Sequence, residues 1–556
     1  GNNDGTDGST PAEGNFTFSR GTNLSATRVN ASQLIEKGRE NLILQSNQFD
    51  NAYWTKSAST ITTGQADPNR ASNAFKIVED TSTNYHRISG GYTMVSGNVY
   101  ATSVTAKAAG RDYLTLSNNV SSGTTIFNLT NGNVEVQESG VVSASTTSLG
   151  GGWYRCEMVA VGNASGAKSV FIGADNNGVI GTYTGDGISG VLIYQSQLES
   201  SLVATPYIET GATSAQAGIL ENTPRLDYSG GASCPSLLLE PQRSNFIPHS
   251  EYFGDWVLDG NGDGQSVTAN YAISPEGVQN AYRLQLSFIN GTYSRIKKSV
   301  TDSYSGAGVF SVYLKTNDGS TKTISMRWGG SGAVSKTITR EWQRFDVSGT
   351  AIYTLAQDHE LFIGSAEGDS DVVDLSIYAA MQETGSYATS YIPTYGVSQT
   401  RATDTYKKLG FGNTSTEGTL FIEFEASNLK SSNGMYMYGL AVGTTDLGTS
   451  YANSSGALSI IANGAKIQAM NNGYATNLFS FTPSVGEIAK IAIRYDGTNV
   501  VGFVNGVKQT THTDNAVGVK NSIRVNNGEQ SSHDTKQILF FPTALSDAEL
   551  ASLTTI

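Results

Sequence analysis

An internal duplication constrains the fold of this chain more than any other sequence feature. Five short strings recur in the same order, and the offset between copies drifts only from 184 to 208 residues, as changes in loop length would cause. The paired strings begin at Asn41 and Asn245, Tyr85 and Tyr293, Val104 and Val312, Trp153 and Trp342, and Ala204 and Ala388. Solenoid units have periods of at most about 50 residues. Units of this length therefore predict two complete domains of one fold.

The composition of the two repeats predicts short β-strands. Segments such as 99–106 and 308–314 are rich in β-branched and aromatic residues, and turn-forming clusters such as Asp318-Gly319 separate them. The chain contains 62 Gly and only 11 Pro, which suits tight turns. We expect an all-β protein built from tandem antiparallel β-sandwiches of the jelly-roll type.

The duplication also predicts the domain boundaries. Related strings around Arg28, Arg225 and Arg401 precede the successive units, which indicates ordered straps between them. The predicted division is a flexible leader and N-terminal strap at 1–40, a first sandwich at 41–212, a connector strap at 213–244, a second sandwich at 245–400 and a third unit at 405–556.

The third unit differs from the two repeats. Residues 418–426 alternate between apolar and polar, which predicts a strand with one solvated face. The Asn-Gly pair at 505–506 is a hairpin signal. Ser546 and Glu549 have the spacing of a capping box, which predicts one short helix over 547–553.

Charge and motif content argue against several classes of function. The net charge of −13, with no cluster of Lys and Arg, argues against nucleic-acid binding. No apolar run reaches 18 residues, so no membrane span is predicted. The five histidines lack zinc-site spacing, and there is no nucleophile elbow and no phosphate loop. We therefore expect no enzyme activity. Cys156 and Cys234 are expected to be buried, unpaired thiols.

Two acidic patterns suggest sites, each with a simpler alternative. Asp259, Asn261 and Asp263 have the spacing of calcium-loop ligands, but the loop lacks the bidentate glutamate, so a turn is the competing interpretation. Glu423 and Glu425 share one face of a predicted strand, as glycosidase carboxylates can. Their alternation with apolar residues favours a solvated face. Calcium is the only cofactor that the sequence suggests.

Sugar binding generally uses an exposed aromatic ring beside polar side chains. The tryptophans at matched repeat positions, Trp54, Trp153, Trp256 and Trp342, are expected in the cores. Trp328 has no counterpart and lies in a Gly-rich string, so it is the candidate ring within the repeats. The candidates in the third unit lie in Asn- and Gly-rich segments and are Tyr436, Tyr438, Tyr451 and Tyr474.

Long strings in the straps resemble a known group of proteins. FTFSRGTNLSATRVNASQLIEKGRENLILQSNQFDNAYW and PRLDYSGGASCPSLLLEPQRSNF are similar to tail-fibre, head-fibre and other virion structural proteins of bacteriophages, as is Gln382-Glu383 before Tyr387-Ala-Thr-Ser-Tyr-Ile-Pro393. Residues 405–556 resemble laminin-G or concanavalin-like domains, through the string Tyr495-Asp-Gly, the string Val504-Asn-Gly-Val and the string Ala544-Leu-Ser-Asp-Ala-Glu.

The resemblance implies carbohydrate-binding-module-like jelly rolls on a virion surface. It also implies a homo-oligomer, most often a trimer, attached to other virion proteins through its N-terminal region. The favoured function is a non-catalytic adhesin for host surface polysaccharide or mucin glycans, with its binding loops in the distal third unit. One alternative is a structural decoration or stalk protein without a ligand. Another is a bacterial cell-surface lipoprotein with the same modules.

Overall fold

The computed structural model describes residues 17–118, 120–231, 233–260, 264–287, 293–302, 306–329, 332–350, 357–364, 372–409, 413–428, 436–443, 458–463, 466–471, 476–484, 486–513, 519–527 and 532–556. In these residues the paired strands are all antiparallel, and the single α-helix lies near the C-terminus. The predicted all-β class with tandem sandwiches is confirmed. No helix in this part of the chain is long and apolar enough to cross a bilayer.

Four short strands lie in the N-terminal strap: β1 Thr17–Ser19, β2 Thr27–Val29, β3 Ile35–Lys37 and β4 Arg39–Asn41. The first sandwich contains β5 Thr55–Ser57, β6 Ser59–Gln65, β7 Ala74–Glu79, β8 Thr83–Asn84, β9 Arg87–Met94, β10 Val99–Ala109, β11 Tyr113–Ser117, β12 Thr124–Asn128, β13 Val134–Gln137, β14 Val141–Gly150, β15 Trp153–Val161, β16 Gly166–Asp175, β17 Tyr183–Thr184 and β18 Gly190–Glu199.

The connector contributes β19 Ala215–Ala217, β20 Leu226–Asp227, β21 Ser236–Leu239 and β22 Arg243–Asn245, with a 3-10 turn at Ser229–Gly231. The second sandwich has a 3-10 turn at Phe253–Asp255 and contains β23 Val257–Gly260, β24 Ser266–Ala272, β25 Ala281–Ser287, β26 Ser294–Asp302, β27 Ala307–Thr316, β28 Lys322–Arg327, β29 Val334–Ile338, β30 Gln343–Thr350, β31 Gln357–Gly364 and β32 Val372–Thr384.

The remaining elements are β33 Gln399–Arg401, β34 Thr405–Leu409, β35 Gly418–Asn428, β36 Tyr436–Gly443, β37 Leu458–Asn463, β38 Lys466–Asn471, β39 Thr476–Phe481, β40 Ile488–Tyr495, β41 Asn499–Val504, β42 Val507–Thr513, β43 Ser522–Asn527, β44 Ser532–Phe541 and α1 Asp547–Thr554.

The two repeats share one strand order. The sheets of the first sandwich are β14-β15-β10-β18-β7-β6 and β13-β12-β11-β16-β9-β5. Those of the second are β30-β27-β32-β25-β24 and β29-β28-β31-β26-β23. The second sandwich therefore has the order of the first without one edge strand in each sheet, so the duplicated strings mark duplicated folds.

A buried asparagine closes each repeat in the same way. The Asn41 Nδ2 donates to the Ile208 carbonyl at 2.8 Å, and the Asn245 Nδ2 donates to the Ile392 carbonyl at 2.9 Å. In both copies the side-chain oxygen accepts a backbone N–H two residues further on. Each amide is fully buried, so these hydrogen bonds replace its lost hydration. This explains why both repeats begin with Asn.

The straps also form part of the third sandwich. β1 pairs with β34 at the edge of one sheet, and the hairpin of β20 and β21 pairs with β44 at the edge of the other. Phe18 of β1 and Leu239 of β21 lie in the same buried cluster as Leu420 and Ile493. The third sandwich is therefore completed by strands from the two straps.

Five buried charged residues hold this junction together, and we call them the strap cluster: Arg20, Arg225, Glu240, Arg401 and Asp404. Their side chains are at most 4% exposed. Arg225 contacts both carboxylates, at 2.7 Å from Glu240. Arg401 lies 3.0 Å from Glu240, and Arg20 lies 3.3 Å from Asp404. The cluster joins both straps to the start of the third sandwich.

Two local predictions in the third unit are confirmed. Asn505 and Gly506 have φ of 49° and 82°, as a type I′ hairpin turn between β41 and β42 requires. The Ser546 side chain accepts the Glu549 N–H, and the Glu549 carboxylate accepts the Ser546 N–H, so the capping box opens α1.

The two cysteines are unpaired, as expected, but only one is buried. Cys156 lies in the first core, and burial raises the pKa of its thiol well above the ordinary value. Cys234 is exposed in the connector, which corrects the expectation that both are buried.

Candidate functional site

A cleft on the outer face of the first sandwich is the candidate site. It lies on the sheet that contains β9, β16, β11 and β12, and its volume is about 310 Å³. Strand alternation turns Ile88 and Ile172 into the core, so Arg87 and Phe171 face outward. The lining includes these two outward side chains together with Tyr85, Thr115, Glu138 and Asp175. This volume lies at the lower end of the usual range for small-ligand pockets.

Strand register produces the hollow at the centre of the cleft. Gly173 on β16 lies opposite Arg87 on β9 and opposite Thr115 on β11. A Cβ atom at Gly173 would lie 2.9 Å from the Cβ of Arg87, which is closer than real Cβ contacts. Because Gly173 has no side chain, the sheet surface stays open between the arginine and the threonine.

Two aromatic rings hold the arginine side chain. The guanidinium carbon of Arg87 lies 4.0 Å from the centroid of Phe171 and 5.0 Å from that of Tyr85. A guanidinium over an aromatic face is attracted by the ring quadrupole. The Tyr85 side chain is nevertheless 40% exposed, so part of its ring remains available to a ligand.

The charge of Arg87 has no carboxylate partner within the part of the chain that the structure describes. Its recorded side-chain contacts are the two rings. Burial lowers the pKa of Arg87, and Tyr85 offsets part of this effect. A partly desolvated cation without an ion pair gains stability when an anion approaches it.

Two carboxylates at the cleft already accept backbone hydrogen bonds. Glu138 Oε2 accepts the Thr124 N–H at 2.8 Å. Asp175 Oδ1 accepts the N–H groups of Asn177 and Gly178 at 3.0 and 2.8 Å. These bonds fix the loops around the cleft, because each carboxylate satisfies backbone donors that no strand pairs.

The second sandwich repeats the framework of this site. Tyr293 is 44% exposed, and the guanidinium carbon of Arg295 lies 5.1 Å from its ring and 5.2 Å from the ring of Phe362. Gly364 lies opposite Arg295, as Gly173 lies opposite Arg87. The duplicated Tyr-x-Arg string therefore encodes one surface arrangement in both copies.

The side chains around the two arginines differ in size and charge. In the first sandwich three serines border the arginine and the phenylalanine, and the second sandwich has charged residues at the same register positions. The corresponding pairs are Ser57 and Asp259, Ser89 and Lys297, and Ser117 and Arg327. Asp259 lies 2.6 Å from Arg295 and 2.9 Å from Lys297. Charged side chains therefore occupy this face in the second sandwich.

The structure places Trp328 in the core, which corrects the prediction of an exposed ring. Its side chain is 0% exposed and belongs to the second buried cluster. A Cβ at Gly308 would lie 2.3 Å from the Trp328 ring, so the ring fills the space that this glycine leaves. The equivalent positions in the first sandwich hold Tyr100 and Asn118, so the large side chain comes from the facing sheet in the second sandwich. This burial leaves Trp328 unable to stack on a sugar.

The proposed calcium ligands are only partly described. The Asp259 carboxylate is engaged by Arg295 and Lys297, while Asn261 and Asp263 lie outside the described residues. Among the described residues, no group of three or more His, Cys, Asp or Glu has the arrangement of a metal site.

The tyrosines proposed for the third sandwich are described only in part. Tyr436 and Tyr438 lie on β36, and the placement of their side chains is not described. Tyr451 and Tyr474 lie outside the described residues. The prediction that these four bind a sugar remains a prediction.

The matched tryptophans lie in or against the cores, as predicted. Trp54, Trp153 and Trp256 are at most 5% exposed, and Trp342 packs partly buried against another cluster. The two strand glutamates also match the interpretation as a solvated face. Glu423 lies 3.9 Å from Lys490, and Glu425 lies 3.1 Å from Lys536.

The string Tyr85-x-Arg87 marked the duplication in the sequence but was not predicted as a site. The signal was present in the string itself. Since Ile88 is apolar and begins the alternation of β9, Arg87 had to face the opposite side of the sheet.

No protein-family model and no curated protein matches the chain. Among solved structures, the chain is similar to the N-terminal CBM22-1-CBM22-2 tandem domain of Xyn10C from Paenibacillus barcinonensis, at 10% identity over 66% of this chain and 99% of that chain, with a TM-score of 0.20. It is also similar to the LG1-3 region of the laminin alpha2 chain, at 10% identity over 83% of this chain and 96% of that chain, with a TM-score of 0.14. Neither similarity is close enough to assign a function.

Proposed function

We propose that this chain is a non-catalytic glycan-binding protein and that the cleft of the first sandwich holds a sugar. The cleft supplies an exposed ring at Tyr85 for the apolar face of a pyranose. It supplies a hydroxyl group at Thr115 as a partner for sugar hydroxyls. The open surface at Gly173 gives the sugar room between these groups.

The observation that carries this proposal is the difference between the two repeats. Both have the ring, the arginine and the opposing glycine. Only the first has small serines where the second has Asp259, Lys297 and Arg327. An open cleft in one copy is what a binding site needs.

Replacement of Tyr85 by alanine is expected to weaken glycan binding by about 1–3 kcal/mol, the usual contribution of an aromatic ring that stacks on a flat ligand. This corresponds to roughly 5- to 150-fold in Kd. The measurement is a titration of the strongest hit from an array of bacterial polysaccharides and mucin glycans, with wild type and variant side by side.

Tyr293→Ala is the matched control, because Tyr293 has the same place and exposure in the second sandwich. It should leave the affinity unchanged. Equal losses in both variants would contradict a site confined to the first sandwich. An array without any hit would favour a stalk or decoration protein without a ligand.

A second sugar site in the third sandwich remains part of the proposal, at Tyr436, Tyr438, Tyr451 and Tyr474. Deletion of 405–556 is a poor test of it, because this removes the partners of β1 and β21 and exposes Phe18 and Leu239. Single alanine substitutions at these tyrosines are the cleaner experiment.

The virion location and the trimer are proposed on the resemblance of the strap strings to phage fibre proteins. Mass spectrometry of purified particles should find this chain beside capsid or tail proteins. Its detection in a bacterial envelope instead would support the lipoprotein alternative. Light scattering should give three chain masses, and a monomer at micromolar concentration would contradict the trimer.

A further inference from the structure

We propose that the sugar bound in the first-sandwich cleft is acidic, with a carboxylate held by Arg87. This inference rests on the proposed glycan-binding function and adds the class of ligand. A hexuronic acid within a polysaccharide is the chemistry that this site fits best, because the cleft combines a ring, a hydroxyl group and a cation that has no carboxylate partner among the described residues.

The comparison of the repeats shows what Arg87 lacks. Ser57 on β5 lies opposite Arg87 on β9, and Asp259 on β23 lies opposite Arg295 on β26. The Asp259 carboxylate receives a hydrogen bond from the Nε of Arg295 at 2.7 Å. In the first sandwich the same register position carries only a hydroxymethyl group. Among the described residues, therefore, the arginine of the second sandwich has a carboxylate partner across the sheet and that of the first sandwich has none.

The geometry of Arg87 leaves its donors available. Its guanidinium carbon lies over the rings of Phe171 and Tyr85, at 4.0 and 5.0 Å from their centroids. In the described part of the chain, no acceptor takes a hydrogen bond from its N–H groups. A planar guanidinium presents these donors in a fork that matches a carboxylate with two parallel hydrogen bonds. The two rings hold the fork in place before the ligand arrives, which reduces the entropy lost on binding.

Two carboxylates line the cleft, and each accepts backbone hydrogen bonds rather than pairing with Arg87. Glu138 accepts the Thr124 N–H, and Asp175 accepts two N–H groups of its own loop. The net charge of −13 opposes an anionic ligand at long range. Salt at physiological strength screens charges beyond about 8 Å, so acidic residues far from the cleft oppose the contact with Arg87 only weakly.

The experiment uses three copies of one array of bacterial polysaccharides and mucin glycans. One copy is untreated, one has its carboxyl groups reduced to alcohols, and one is desulfated. Wild-type protein should bind carboxylated glycans on the first and third copies and lose at least tenfold in signal on the second. Loss only on the desulfated copy would overturn the carboxylate in favour of sulfate.

The array also separates this inference from the function on which it rests. Equal binding to all three copies would overturn the acidic ligand and leave glycan binding intact. Silence on all copies would overturn both proposals.

Ser57→Asp supplies the first sandwich with the carboxylate that the second has. The variant should lose at least tenfold in affinity for the acidic hit, because its own side chain then pairs with Arg87. Ser57→Asn is the matched control of nearly the same size without charge, and it should stay within about threefold of wild type, well under the factor of ten that 1.4 kcal/mol represents. Equal losses in the two variants would show that bulk alone is responsible and would overturn the role of Arg87. Unchanged thermal unfolding of both variants establishes that each is folded.

Discussion

Asp404→Asn is expected to destabilise the junction between the straps and the third sandwich by about 3–5 kcal/mol. The carboxylate contacts Arg20 and Arg225 and accepts the Glu240 N–H at 3.0 Å. Its loss leaves three buried arginines, including Arg401, with one carboxylate in the strap cluster. Burial lowers the pKa of Arg20 to about 10 despite the attraction of Asp404, which indicates how costly this charge is without its partner. Breaking a buried pair by removing one member typically has this magnitude.

Two measurements separate the stability of the third sandwich from that of the two repeats. All five lie between residues 54 and 342, so their emission during guanidinium unfolding reports on the two repeats. Limited proteolysis of residues 405–556 reports on the third sandwich. We expect the variant to be cleaved there at denaturant concentrations that leave the tryptophan signal unchanged.

Asp547→Asn is the matched control, since Asp547 also contacts two cations, Arg494 and Lys508, but its side chain is 47% exposed. Exposed ion pairs contribute at most about 1 kcal/mol. If Asp404→Asn and Asp547→Asn have equal effects, the strap cluster does not stabilise the junction.

Lys37→Met is expected to lose about 3–5 kcal/mol of unfolding free energy at pH 8 and markedly less at pH 5. The buried ammonium lies 3.0 Å from both Glu251 and Glu276, and 2.6 Å from the Tyr395 hydroxyl. Burial lowers the pKa of Lys37, but the two carboxylates outweigh it and hold that pKa above its ordinary value. Lys37 lies in the N-terminal strap and its partners lie in the second sandwich, so the pair fixes these segments together.

The pH dependence follows from Glu251, which remains buried without its ammonium partner in this variant. Burial raises the pKa of Glu251, and Glu276 raises it further, while Lys37 opposes both effects. Without Lys37 that pKa rises more. The folded state then binds a proton more tightly than the unfolded state, so stability is present below the unfolded pKa and is lost as the pH rises through the folded pKa.

Unfolding by denaturant at pH 5 and pH 8 measures this difference. Lys536→Met is the control, because its pair with Glu425 is partly exposed, with a third of each side chain accessible. It should change stability by less than about 1 kcal/mol, equally at both pH values. An equal loss for Lys37→Met at both pH values would mean that packing, and not charge, explains the effect.

The sequence alone determined the features that depend on neighbours along the chain. The Asn-Gly turn at 505–506 and the capping box of Ser546 and Glu549 formed where they were predicted, because a few adjacent residues specify each. The all-β class followed from strand alternation and turn residues. The matched strand orders followed from the duplication, since copies of one string fold alike.

Only the tertiary structure decided which residues meet. Trp328 lies in the core because Gly308 on a strand of the facing sheet leaves it space, and no pattern around residue 328 reports that glycine. The straps at 17–19 and 226–239 pair with strands of the third sandwich that lie hundreds of residues away. Such pairings depend on register between distant segments, which local propensity does not encode.

The candidate site depends both on the local sequence around Arg87 and on the tertiary structure. The sequence placed Tyr85 and Arg87 on the outer face through the alternation that buries Ile88. The cleft itself needed Gly173 and Thr115 from two other strands, and Ser57 on a third strand lies opposite Arg87. Whether Arg87 has a carboxylate partner depends on what lies across the sheet from it. The residue opposite Arg87 is set by strand register, which is defined only in the folded sheet.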